Sequence, residues 1–203
     1  MLNPPNAFTL INYDKQTNSD NLLTQLGKNV SLPNKNRNYT IYNQRLVKEL
    51  CAKREKALPI LENYLKNSND EKGVCEALYT IDRMCDLKVK GIDKMYGTLS
   101  RFNRTDSPNI QVLLAGIYRK TQVPDGFGPL VNMLVSNTQK APHPFFDPSE
   151  EIGGAILEYI KNYSSMNAYS KEKRWLDWIM HSPYHIPLTI YIFLLKRQSS
   201  YQS

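Results

Sequence analysis

The sequence predicts an all-α chain built from stacked helical pairs. Three observations carry that prediction. From residue 41 onward, apolar residues recur at i, i+3 and i+4, the signature of one helix face. A nine-residue apolar outline appears three times, as ALPILENYL at 57–65, GIDKMYGTL at 91–99 and GFGPLVNML at 126–134. These phrases are offset by 34 and then 35 residues, and the segments before them agree, with ALYTIDRM at 77–84 lying 36 residues before LLAGIYRK at 113–120. Such a period marks helix–turn–helix units that stack because one pair cannot bury its own apolar stripe. The expected fold is a short right-handed α-solenoid of about four stacked helical pairs with an irregular N-terminal arm.

The elements follow in chain order. Residues 1–40 hold nine Asn together with Pro4, Pro5, Pro33 and Gly27, a composition that predicts a partly extended arm with a single short helix at 21–26. The helical-repeat domain is expected over 41–203. Its first pair carries Val47, Leu50 and Cys51, then Leu58, Leu61 and Leu65. The loop NSND at 67–70 supplies capping residues for a helix whose stripe is Val74, Ala77, Leu78, Ile81 and Cys85. Ile92, Met95, Leu99 and Phe102 mark its partner. Ser107-Pro108 reads as N-cap and first helical residue, because proline lacks the N–H that would be unpaired there. Ile110, Leu113, Leu114 and Ile117 follow, and VPDGFG at 123–128 turns the chain into the next helix. APHPFFDP at 141–148 reads as an insertion, in which Phe145 and Phe146 either anchor a contact loop or fold over the third pair. A fourth pair is expected from 150–163 and 171–180, and a C-terminal capping helix near 187–197. Alignment of the three phrases pairs Leu58 with Ile92 and Phe127, Leu61 with Met95 and Leu130, and Leu65 with Leu99 and Leu134. The phrase recurs because it forms the inward face of each second helix.

Composition narrows the class. The chain of 203 residues is 41% hydrophobic, enough for a core. Its net charge of +7 is spread as +2 over 1–40, +4 over 41–105 and +1 over 106–203. A diffuse excess of this kind admits an anionic partner such as nucleic acid but does not single one out. Cys51, Cys75 and Cys85 are odd in number and lack a short repeated spacing, so they read as reduced thiols in a cytoplasmic protein. The longest apolar run, LTIYIFLL at 188–195, is too short for a bilayer, which takes about twenty helical residues. No membrane span is expected.

No motif assigns a reaction. The chain has no phosphate-cradling G-x-x-x-x-G-K-[ST] and no H-E-x-x-H. His181 and His185 are four apart, but Pro183 between them opposes a continuous helix, and with His143 they form no recognisable metal set. Each cysteine sits on an apolar stripe, where packing is the simpler role. Asp82 and Asp86 are i, i+4 and flank Arg83, which reads as a solvated face. No catalytic residue, metal or cofactor is expected. Binding residues are sought instead on the outward side of the second helices. With Ile92, Met95 and Leu99 turned in, Lys90, Asp93, Lys94 and Gly97 turn out, and the matching positions are Glu62, Asn63 and Asn132. Lys90, Lys94, Arg101 and Arg104 would make one end basic.

A helical-pair period near 35 with Pro or Gly at the turn within each pair resembles HEAT-like α-solenoid repeats, over roughly 41–181. That resemblance implies a superhelical stack whose second helices line a concave binding surface. Function is then expected to be non-enzymatic: a scaffold that holds a protein or peptide through the concave face. The alternative is a nucleic-acid-binding HEAT-like protein, with a relation to DNA repair as its specific form. Trp175 and Trp178, with Asp177 in KEKRWLDW, resemble in kind the Trp/Asp cluster of HEAT-like DNA glycosylases, although a core stripe would use the same spacing.

Overall fold

In the computed structural model, residues 19–138 and 148–164 are described. Among them the chain is all-α, with eight α-helices, short 3-10 turns and no strand. In order these are α1 (Ser19–Leu23), α2 (Gln44–Ala52), α3 (Leu58–Asn67), α4 (Glu71–Asp86), α5 (Tyr96–Leu99), α6 (Pro108–Thr121), α7 (Phe127–Thr138) and α8 (Ser149–Ser164). The 141–147 stretch, the second helix of the fourth pair, the terminal capping helix and both tryptophans lie outside the described residues.

Local chemistry explains the starts and stops. Asn43, Asp70 and Ser107 are N-caps, their side chains accepting from the N–H of Leu46, Gly73 and Ile110 respectively. Each cap meets one of the unpaired donors of a first helical turn. Pro108 occupies the opening turn of α6, as its spacing after Ser107 predicts. Gln122 ends α6 in the left-handed region at φ 53°, and its N–H donates to the Tyr118 carbonyl. The second helix of the middle unit is the least regular: a 3-10 turn at Asp93–Met95, the short α5, and another 3-10 turn at Ser100–Phe102.

The apolar stripes meet in one core. All nine residues of the recurring phrase stripe are buried, from Leu58 to Leu134, as are Val74, Ala77, Leu78 and Ile81 of α4 and Ile110, Leu113, Leu114 and Ile117 of α6. Helix α2 lies against α4, α4 against α6 and α6 against α8, while α3 packs on α4 and α5, and α7 on α8. Each helix of the first row thus meets the helix two elements further on. Polar bonds repeat the same spacing. Thr98 Oγ1 donates to Glu62 Oε1 at 2.9 Å, Arg101 to the Leu65 carbonyl at 2.6 Å and Tyr159 OH to the Val123 carbonyl at 2.7 Å, each spanning 36 residues.

Residues 19–43 join this core. Leu22, Leu26 and Val30 are buried in it. The tie is Glu76, fully buried on α4, whose two oxygens accept from the N–H of Gly27 at 2.9 Å and of Asn43 at 2.7 Å. Gly27, at φ 81°, sits so close to the start of α4 that a Cβ there would lie 2.6 Å from the Gly73 nitrogen. Only glycine meets both demands.

Asp82 and Asp86 differ from expectation. They do not form a simple solvated face but straddle Lys120 of α6, whose Nζ lies 2.9 Å from Asp82 Oδ2 and 2.8 Å from Asp86 Oδ1. The reason is Gly116: a Cβ there would fall 2.7 Å from Asp82 Oδ1, so its absence lets α6 close over that carboxylate. Burial pushes the Asp82 carboxyl above the usual range, opposed by its bond to Lys120. Burial also pulls the Lys120 ammonium down, but hydrogen bonds and charge from Asp86 and Asp82 together hold it above the usual lysine range.

Candidate functional site

The outward side of the second helices builds a groove. In α7, Phe127, Leu130, Val131, Met133 and Leu134 turn into the core, which leaves Asn132 exposed on the opposite side. The segment 100–106 faces it across a cavity of about 650 Å³, lined by Arg101, Arg104, Thr105, Gln111, Asn132 and Ser136 among others. Three of the sequence-predicted binding residues, Arg101, Arg104 and Asn132, therefore come together.

The two banks are fixed by one buried amide. Gln111, only 2% exposed, donates through Nε2 to the Thr105 carbonyl at 2.9 Å and accepts at Oε1 from Asn137 of α7 at 2.9 Å. Its single side chain ties the loop bank to the helix bank. Tyr118 adds a second brace, its OH donating to Asn103 Oδ1 at 2.7 Å. Such bracing holds the groove open without a ligand, which lowers the ordering cost of binding.

The two arginines have different tasks. Arg101 donates to the carbonyls of Leu65 and Lys66, closing the C-terminal end of α3, so much of its hydrogen-bonding capacity is spent within the fold. Arg104 is exposed and neither hydrogen-bonds nor ion-pairs with any described residue. Asn132 likewise makes no hydrogen bond to a described residue, so its amide presents a donor and an acceptor to the groove.

Asn63, Lys90, Asp93 and Lys94 are exposed but do not line this cavity. Asn63 instead accepts from Asn67 at 2.8 Å through its carbonyl, and the Lys90 N–H donates to Glu55 at 3.3 Å. Glu62 is engaged by Lys66 and Thr98, whose hydrogen bonds hold its carboxyl below the usual range. Tyr96 is half-buried, its ring 5.8 Å from that of Tyr118 and its OH bonded to the Asp125 carbonyl. Trp175 and Trp178 lie outside the described residues. Sequence reasoning missed Gln111 and Thr105. The available signal was a glutamine inside the apolar run of α6, where a buried amide must find partners.

The thiols carry no visible chemistry. Cys51 and Cys75 are buried and Cys85 is half-buried. Burial raises all three, Cys85 up to about 12, so they stay protonated at neutral pH. Among the described residues, no helix is long and apolar enough to cross a membrane. In comparison with known proteins, the chain matches no family model, no curated protein and no solved structure.

Proposed function

We propose that this protein is a non-enzymatic binding scaffold: a short HEAT-like solenoid that holds an extended peptide segment of a protein partner in the groove between residues 100–106 and α7. The observation that carries this reading is the convergence of uncommitted Arg104 and Asn132 on a groove already braced by Gln111. An amide such as Asn132 matches the donor and acceptor of a peptide unit. Arg104 suits a carboxylate on the same segment. The row of first helices α2, α4, α6 and α8, together with polar bonds that span one repeat, supports the solenoid reading. Three protonated, unpaired thiols support a reducing, cytoplasmic setting.

Nucleic acid is the weaker reading of this groove. Among the described residues its lining contains no aromatic ring on which a base could stack, and Arg101 is engaged with α3. The test is a display selection for peptides that bind the intact chain, followed by affinity measurement on Arg104→Glu and Asn132→Ala. Each substitution is expected to weaken selected peptides by about tenfold or more while leaving the melting curve unchanged. Peptides that bind both variants as they bind the parent would refute the groove. A ligand pool of nucleic acid with a steep salt dependence would favour the alternative.

A further inference from the structure

The turns within the first and second helical pairs, residues 53–56 and 87–94, meet along one edge of the fold. We propose that this edge docks on an anionic membrane surface through its basic side chains and Leu87. The edge shares no residue with the lining of the Arg104 groove, and the inference does not depend on the peptide reading.

Backbone geometry puts the turns in register. Among the described residues, the non-glycine positions at positive φ are Arg54 at 51°, Lys88 at 53° and Gln122 at 53°, at intervals of 34 residues. They follow α2, α4 and α6 respectively. The first two turns also touch. The Lys90 N–H donates to Glu55 Oε1 at 3.3 Å, and a Cβ at Gly91 would lie 3.7 Å from Leu58 Cδ1. Arg54 and Lys88 therefore hold matching places on neighbouring turns, as do Lys56 and Lys90 two residues on.

Charge collects on this edge. The two turns carry Lys53, Arg54, Lys56, Lys88, Lys90 and Lys94 against Glu55 and Asp93. The rest of 41–105 has seven residues of each sign, so the fold gathers the whole +4 of that range here. All six cations except the half-buried Lys53 are exposed. Arg54 lies 3.7 Å from Glu55, whereas the five ammonium groups ion-pair with no described residue. Nearby carboxylates do not offset them: Lys120 takes up Asp82 and Asp86, and Arg83 also pairs with Asp86.

Helix termini do not account for these cations. A cation after a helix C-terminus gains from the dipole. Yet the matching place after α6 holds neutral Gln122, so the left-handed corner is turned without charge. Two features then favour a membrane over nucleic acid. Leu87, beside Lys88, is 49% exposed, and an aliphatic side chain gains burial at the acyl boundary but little on a phosphodiester backbone. Neither turn contains an aromatic ring on which a base could stack.

The test is co-sedimentation of the full chain with phosphatidylcholine vesicles that contain about 30% phosphatidylserine or none. The chain is expected to bind the anionic vesicles about tenfold or more tighter than the neutral ones, and to release in about 0.5 M salt. Arg54→Gln combined with Lys88→Gln installs the residue that the third turn already holds. This pair should weaken binding about tenfold or more at an unchanged melting temperature. Lys56→Gln with Lys90→Gln should do the same and serves if the first pair misfolds. Lys28→Gln with Lys72→Gln removes equal charge at the far end of α4 and should bind as the parent does. Leu87→Ser should weaken binding about threefold. Duplex DNA at equal phosphate concentration should not displace the chain from the vesicles. Equal binding to both vesicles, equal losses in the edge and control pairs, parental binding by a folded edge pair or by Leu87→Ser, displacement by DNA, or no binding would each overturn the proposal.

Discussion

Lys120 shows how one side chain sets the cost of a buried charge. It bridges Asp82 and Asp86 at 2.9 and 2.8 Å, and Gly116 closes the interface around them. Lys120→Met would leave Asp82 in the interface without a cation. Because both side chains keep some solvent contact, the expected loss is about 2 kcal/mol rather than the larger figure for a fully buried pair. The pH dependence has a definite sign. The Asp82 carboxyl is raised in the folded state, so its proton stabilises the fold in acid, and that contribution is lost as pH rises above the ordinary aspartate value of 3.8. Removing Lys120 widens that window, and Lys120→Met should lose more stability than the parent between acid and neutral pH. Lys120 is also raised, so its stabilisation is present below 10.5 and disappears as pH climbs through its folded value. The variant should lack this alkaline loss. Denaturant unfolding across pH checks both arms; parallel profiles for parent and variant would contradict them.

At the scale of elements, caps matter because the helices are short and their ends lie near the groove and the arm. Asp70 caps α4 through a 2.8 Å bond from the Gly73 N–H, beside the site where Gly27 approaches. Asp70→Ala is expected to cost about 1 kcal/mol, read as a lower denaturant midpoint at unchanged slope. No change in midpoint would mean that water replaces the cap without loss. Ser107 has a comparable place at α6, and its hydroxyl also reaches Glu71 of α4, so this cap couples neighbouring helices as well as ending one.

The whole molecule is organised around α4 and α6, which lie inside the row with described helices on both sides. Amide hydrogens of these two helices should exchange most slowly, and those of α1 and the 31–41 turn more quickly. Glu76 is the link between these regions, since it alone receives both Gly27 and Asn43. Glu76→Gln replaces one acceptor oxygen with a donor that opposes a backbone N–H, at a cost of about 2 kcal/mol. Exchange should rise most in residues 27–43. A uniform rise across α4 and α6 would show that this segment opens only with the whole fold.

Much of the helical framework could be read from periodicity, because burial of one helix face imposes a 3.6-residue rhythm on the chain. The nine phrase residues and the outward position of Asn132 followed from that rhythm, while a cap within NSND at 67–70 and the Ser107 cap followed from local capping chemistry. Other features depended on which surfaces meet. Asp82 and Asp86 have the spacing of a solvent-exposed pair, and only the approach of Gly116 and Lys120 makes them an interface. Gln111 is one amide among many until its two partners stand on opposite banks. Tyr39, Tyr42 and Tyr79 come from the arm and from α4, and nothing local says that they share a cavity. The sequence by itself determined the all-α class, the Ser107 start of α6 and the inward faces, since capping and the 3.6-residue rhythm are written within a few residues; it did not set the bounds of α1, expected at 21–26 and found at Ser19–Leu23, or the 3-10 breaks around α5. The tertiary structure alone decided where Arg104 and Asn132 converge, how Glu76 ties the arm, and where the tyrosine-lined cavity opens, since each joins side chains tens of residues apart.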